Sequence, residues 1–223
     1  MKKQFLLVFI IFCCSHVNAQ VKYEATWESL NRRPLPAWFT DAKFGIFIHW
    51  GLYSVPAWAT NSNADGFGSN YAEWYWERLN NTKLKIHKEF TRFHEDVYGP
   101  GFKYQDFAPR FTCELFDPEK WAEIFKHAGA KYVVLTSKHH DGFALWPSAQ
   151  SWNWNAVDAG PNRDLAGELS KAVKDAGLQM GFYYSLYEWY NPLYRQDVNK
   201  YVDQHMLPQM KDLVMRYKPS IVW

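Results

Sequence analysis

The chain has 223 residues, enough for one domain with a sizeable core. Its formal net charge is +2, from 25 Lys and Arg against 23 Asp and Glu, and Lys2 and Lys3 account for the excess. Without the first 19 residues the charges balance, which argues against nucleic acid or an anionic membrane surface as a partner.

Met1-Lys2-Lys3 is a basic start, and residues 5–14 form an apolar stretch too short to span a bilayer. Val17-Asn18-Ala19 offers small residues for cleavage before Gln20. Residues 1–19 therefore read as a secretory signal peptide. A lipoprotein anchored through Cys13 or Cys14 fits less well, because bulky Ile11 and Phe12 precede them. Export implies a periplasmic or extracellular location in a bacterium, and a lysosomal or secreted one in a eukaryote. Loss of Cys13 and Cys14 with the signal leaves Cys113 alone, with no intrachain disulfide to form.

Residues 44–48 form a short apolar run that leads into His49-Trp50-Gly51. Residues 52–110 show no clear strand and are too long for an ordinary connection. They read as an elaborated loop carrying short helices at 71–79 and 84–93, the kind of loop that shapes a site. Asn80-Asn81-Thr82 within it is a glycosylation sequon.

Three helices then alternate with strands. Asp117-Pro118 opens the first, with Trp121, Ile124, Phe125 and Ala128 on one face and Gly129 at its end. Leu165, Leu169, Ala172, Val173 and Ala176 form the second face, ended by Gly177. Leu207, Met210, Val214 and Tyr217 form the third, stopped before Pro219. The strands that follow lie at 132–136, 180–184 and 220–223. This alternation implies a parallel sheet. No Gly-rich phosphate fingerprint follows any strand. Polar residues recur at the strand ends instead, as in α/β barrels whose catalytic groups sit there. The expected fold class is α/β, a partial (β/α)8-like TIM barrel. Four strands are half of the eight that a barrel needs, so the chain reads as an amino-terminal half, with 20–223 as an incomplete barrel.

The most informative stretch is Lys138-His139-His140-Asp141-Gly142, directly after an apolar strand. Adjacent strand side chains point to opposite faces, so both imidazoles reach one ligand only if the strand ends or bulges there. Zinc needs three or four convergent ligands, and no Cys cluster or spaced His pair supports it. Asp141 reads as a structural acceptor, and Arg163-Asp164 as a surface pair or a helix cap. Twelve Trp, many in loop-like segments such as Trp74-Tyr75-Trp76 and Trp152-Asn153-Trp154, favour a pocket for a ligand with apolar faces and many hydroxyls, meaning a sugar.

The strings FGIFIHWGLYSVPAW, EWYW, KHHDGF, SWNWN, GPNRDLAGEL and KPSIVW, in that order, closely resemble the glycoside hydrolase family of α-L-fucosidases. The likeness runs from about Trp27 to Trp223. It implies a retaining exo-glycosidase that removes terminal α-L-fucose from glycans and needs no metal or other cofactor. It implies that His49, Glu73, Trp74, His139, His140, Tyr184 and Trp223 contact fucose. In the family a nucleophilic Asp follows almost at once on the strand that ends in this Trp, and the acid/base Glu lies later. Neither is expected within these residues, so no catalytic carboxylate is assigned here, and the fragment alone is expected to be inactive. The partner is a fucosylated glycan, and the full-length form is a candidate homo-oligomer. The alternative reading is a non-catalytic fucose-binding protein that uses the same contacts.

Overall fold

The computed structural model describes residues 22–223, so the expected signal peptide lies outside the described residues. The chain divides into two compact units, Met1–Thr40 and Asp41–Trp223. In the first, helix α1 (Trp27–Asn31) is capped by Thr26, whose hydroxyl accepts from the Ser29 N–H. Helix α2 spans Ala37–Ala42.

The second unit is built on four parallel strands in sequential order: β1 (Gly45–Ile48), β2 (Tyr132–Lys138), β3 (Gln179–Tyr184) and β4 (Ile221–Val222). Strand β2 is buried along nearly its whole length, as an apolar run in a parallel sheet must be. Gly45 sits opposite Tyr132, and a Cβ there would fall 2.2 Å from the tyrosine ring. Only glycine lets that ring lie over the strand.

The helices lie between successive strands, and their ends follow the capping residues. Asp117 accepts from the Lys120 N–H at 2.9 Å to start α5 (Pro118–His127). Asp164 does the same for Gly167 N–H at the start of α6 (Leu165–Asp175). Asp164 is thus a cap, while Arg163 pairs with Glu168. Gly129 and Gly177 follow these helices at positive φ. The helices cover one face of the sheet. Met180, Phe182, Leu165, Leu169, Val173, Leu213 and Tyr217 belong to that core.

Residues 52–110 form no strand, as expected. They hold helices α3 (Tyr75–Asn80) and α4 (His87–Tyr98), with three-ten turns at Ala72–Trp74 and Tyr104–Arg110. This loop has its own aromatic core. Tyr75, Phe90 and Phe107 are fully buried, and His94 bridges the Tyr75 hydroxyl and the Phe102 carbonyl at 2.9 and 2.8 Å. Asp65 accepts from the N–H groups of Lys85 and Ile86, just before α4. The three-ten turn that leads into α3 carries Glu73 and Trp74.

The connection from β3 to β4 departs from expectation. Helices α7 (Leu193–Gln196) and α8 (Val198–Tyr201) precede α9 (Leu207–Tyr217), and a π-helical segment, Val202–Met206, joins α8 to α9. The Leu207 N–H reaches back to the Val202 carbonyl. Pro208 explains the wide turn: it has no N–H, and in a regular helix its ring would crowd the carbonyl four residues earlier. The buried line of α9 is Gln209, Leu213 and Tyr217, whereas Leu207 and Val214 are exposed. The apolar face expected on Leu207, Met210, Val214 and Tyr217 is therefore rotated, because a buried glutamine occupies the core-facing row.

Candidate active site

Alternation along the strands sorts the side chains onto two faces. Phe182 packs on Tyr217 toward the helices. Tyr184, two residues on, points the same way. Its hydroxyl donates to Gln209 Oε1 at 2.7 Å, its ring lies under Lys138 Nζ at 4.4 Å, and it is buried. Tyr184 therefore lies on the helix side of the sheet, apart from the other expected contact residues. The opposite face carries Phe47, Val134 and Tyr183.

On this opposite face an aromatic and imidazole cluster forms at the carboxyl ends of the strands. Phe47 lies 5.2 Å from His49, 5.9 Å from Tyr183 and 5.7 Å from Trp223, between ring centroids. His49 lies 5.6 Å from His139, and His139 lies 5.8 Å from Tyr183 and 4.2 Å from His140. Trp74, carried on the loop, meets His140 at 5.2 Å. Glu73 comes with it, close enough for its charge to add to burial in holding the Tyr53 and Tyr183 hydroxyls above their ordinary pKa. Six of the seven expected residues thus share one end of the sheet.

Both histidines reach that end because strand β2 stops at Lys138, with its register shifted between Thr136 and Lys138. The turn that follows is pinned from below. Asp141 accepts from the Tyr104 hydroxyl at 2.7 Å and from the Phe143 N–H, as a structural acceptor should. Burial pushes its carboxyl up to about 6. Gly142 has φ +74, a left-handed value, and a Cβ on it would meet Glu188 Oε1 at 2.8 Å.

The segment after β3 holds His140. The Ser185 N–H donates to the Lys138 carbonyl, and the Trp189 N–H to the His140 carbonyl at 2.7 Å. The Ser185 hydroxyl donates to the Tyr187 carbonyl and so presents an acceptor to His140 Nδ1, 2.5 Å away. This network assigns the proton to Nδ1 and leaves a lone pair on Nε2. Burial, with the charges of Lys138 and His49, holds His140 down to about 4. Burial and its two neighbouring imidazoles hold His139 down to about 2, and its Nδ1 is buried without a hydrogen-bond partner. Both rings are neutral at pH 7.

Beneath this end lies a charged cluster that the sequence did not announce. Lys138, fully buried, donates to Glu188 Oε2 at 2.5 Å, and the Tyr201 hydroxyl donates to the same oxygen at 2.9 Å. His205, in the π-helical segment, lies 3.6 Å from it. Burial alone would raise Glu188, but His205 and Lys138 outweigh it and hold the carboxyl at about 2. Tyr183, Tyr53, Ser185, Trp189 and this cluster were missed by sequence reasoning. For Tyr183 a signal existed, since it shares strand parity with Gly181 and not with core-facing Met180 and Phe182.

Of the expected tryptophans, Trp154 packs on Phe143 and Tyr190, and Trp152 is exposed. Among the described residues no group of three or more His, Cys, Asp or Glu is arranged to hold a metal ion, and no helix is long and apolar enough to cross a membrane.

The family model described as Alpha-L-fucosidase matches residues 10–223. Among curated relatives, an alpha-L-fucosidase of Dictyostelium discoideum is 48% identical over 99% of this chain and 48% of its own length. Human tissue alpha-L-fucosidase is 49% identical over 91% of this chain and 41% of its own length. A Thermotoga maritima alpha-fucosidase solved in complex with fucose superposes with a TM-score of 0.77 at 43% identity, over 91% of this chain and 49% of that one. The chain spans about half the length of the relatives it matches.

Proposed function

Because this chain belongs to the alpha-L-fucosidase family, we propose that it supplies the sugar-gripping half of a site that hydrolyses terminal α-L-fucose from glycans. The observation that carries this reading is the cluster of imidazoles, His49 through His139 to His140, edged by Trp74, Glu73 and Trp223. Neutral imidazoles can both donate to and accept from sugar hydroxyls. His140 Nε2 accepts one. Glu73 accepts others through its carboxylate, a stronger bond than a neutral acceptor makes. Trp74 and Trp223 offer apolar faces to the methyl group and C–H face of a deoxy sugar. Tyr183 takes the place first given to Tyr184.

The two carboxyls of a retaining glycosidase stand roughly 5–5.5 Å apart across the glycosidic bond. We place both in the polypeptide that follows Trp223: an Asp nucleophile soon after it and a later Glu as acid/base. In the first step the Asp attacks the anomeric carbon while the Glu protonates the departing oxygen. Water then releases fucose with its configuration kept. Export through residues 1–19 belongs to the same proposal.

The test uses the full-length protein and an aryl α-L-fucoside, with the first-formed sugar followed by proton NMR. Release of the α-anomer, ahead of mutarotation, supports the reading. Tight fucose binding without turnover would instead favour a binding protein, and first release of the β-anomer would remove the retaining assignment.

A further inference from the structure

A cavity of about 470 Å³ lies beside the candidate site, between α3 and the segment that follows β3. Its walls are continuous with that site. Tyr187 and Trp189 line it, and their rings lie 5.2 and 5.1 Å from His140. Trp189 is also 5.5 Å from Trp74. The volume is that of an ordinary small-ligand pocket. Aromatic and amide groups together suit a saccharide: Tyr187 is 41% exposed, and Asn80 and Asn81 also line the cavity.

The charges are lopsided. The cavity's one carboxylate, Glu77, is already taken: Arg78 Nη1 and Asn81 Nδ2 donate to it, each at 2.6 Å. Lys83 and Arg195 also line the cavity, and neither has an ion-pair partner among the described residues. Both are exposed, so their charge is available to a ligand at the rim.

We propose that this cavity is the subsite for the sugar that carries the fucose, and that it selects an acidic one, with its sulfate ester or carboxylate between Lys83 and Arg195. The proposal rests on the fucosidase reading and adds to it the class of leaving group. An anion there gains two charge-assisted contacts that a neutral sugar lacks. Aryl fucosides, too short to reach the rim, gain nothing from them.

The test compares three fucosyl disaccharides on the full-length protein, with a neutral, a sulfated and a uronic second sugar, beside an aryl α-L-fucoside. The wild type should favour the acidic disaccharides, and the preference should shrink as salt rises. The Lys83→Ala/Arg195→Ala variant should leave kcat/KM on the aryl fucoside unchanged. On the acidic disaccharides it should lose about 3- to 30-fold, mostly through KM. A loss confined to the sulfated substrate assigns sulfate, and a loss on both assigns anions generally. Equal wild-type use of neutral and acidic disaccharides overturns the proposal, as does a variant that slows all of them alike. No turnover of the aryl fucoside by the wild type overturns the fucosidase reading itself, and this inference with it.

Discussion

Two polar clusters meet at the end of strand β2, one buried and one open at its edge, and consecutive residues belong to each. Lys138 turns toward the helices, where Glu188, Tyr201 and Tyr184 surround it. His139 and His140 turn the other way, into rings that keep them neutral. The first cluster answers its charge internally. The second is built on two neutral imidazoles and leaves a lone pair on His140 Nε2 for a ligand. The difference separates scaffold from site: a saturated ion pair fixes a loop, whereas neutral donors and acceptors with free valence are what a polyol can use.

The contrast is broken most severely at Glu188. Glu188→Ala strands the Lys138 ammonium in the interior and should cost about 3–5 kcal/mol of stability in the full-length protein, measured by urea unfolding. The Lys138→Met/Glu188→Leu double variant should recover much of that loss, since an apolar pair needs no compensation. A Glu188→Ala protein as stable as wild type would mean that the ion pair is not what pins this segment.

On the other cluster the effect should fall on rate. His49→Ala or His140→Ala should lower kcat/KM on an aryl α-L-fucoside by about 5- to 150-fold, the worth of a sugar hydroxyl left unpaired, with the melting temperature nearly unchanged. Unaltered kinetics with folding intact would remove these residues from the site.

The adjacent tyrosines sharpen the same division. Tyr184→Phe deletes the bond to Gln209 and should cost about 1–3 kcal/mol of stability, because Gln209 keeps a buried acceptor without its donor, while activity holds. Tyr183→Ala should do the reverse. A Tyr184→Phe enzyme with normal stability and a raised KM would restore Tyr184 to the ligand.

A further effect is on pH dependence. Free histidine titrates near 6.5, but folded His140 titrates at about 4 and His139 at about 2, both chiefly through burial. The stability they contribute is fully present above pH 6.5. It is lost as pH falls below that, because the unfolded chain takes up protons that the folded rings refuse. Asp141, raised to about 6, opposes this between about pH 4 and 6, one group against two. Stability should therefore decline from pH 6.5 toward 4. His140→Asn should flatten that slope by at most ~1.4 kcal/mol per pH unit. Equal slopes for wild type and variant would show that His140 is not held neutral.

Features set by neighbours in the chain were legible in the sequence. Asp117 and Asp164 cap their helices, Gly129 and Gly177 end them, and the apolar runs before His49 and His139 are strands. Features set by distant partners were not. Lys138 and Glu188 are 50 positions apart, and nothing local marks either as buried. Gln209 breaks an apolar pattern because Tyr184, Ser148 and Ser151 all bond to its amide. Tyr183 and Tyr184 differ only in strand parity, and Phe182 marks which of them faces the helices.

The π-helical segment at Val202–Met206 has a bearing on how this protein can change length. A residue removed from it would turn everything downstream by about 100° around the helix axis. Gln209, Leu213 and Tyr217 would leave the sheet together, and His205 would swing away from Glu188. Surface loops elsewhere in the chain can drift in length at small cost. This helical run cannot, so insertions and deletions among related sequences should avoid residues 198–217 and collect in the exposed turns around Phe67 and Trp152.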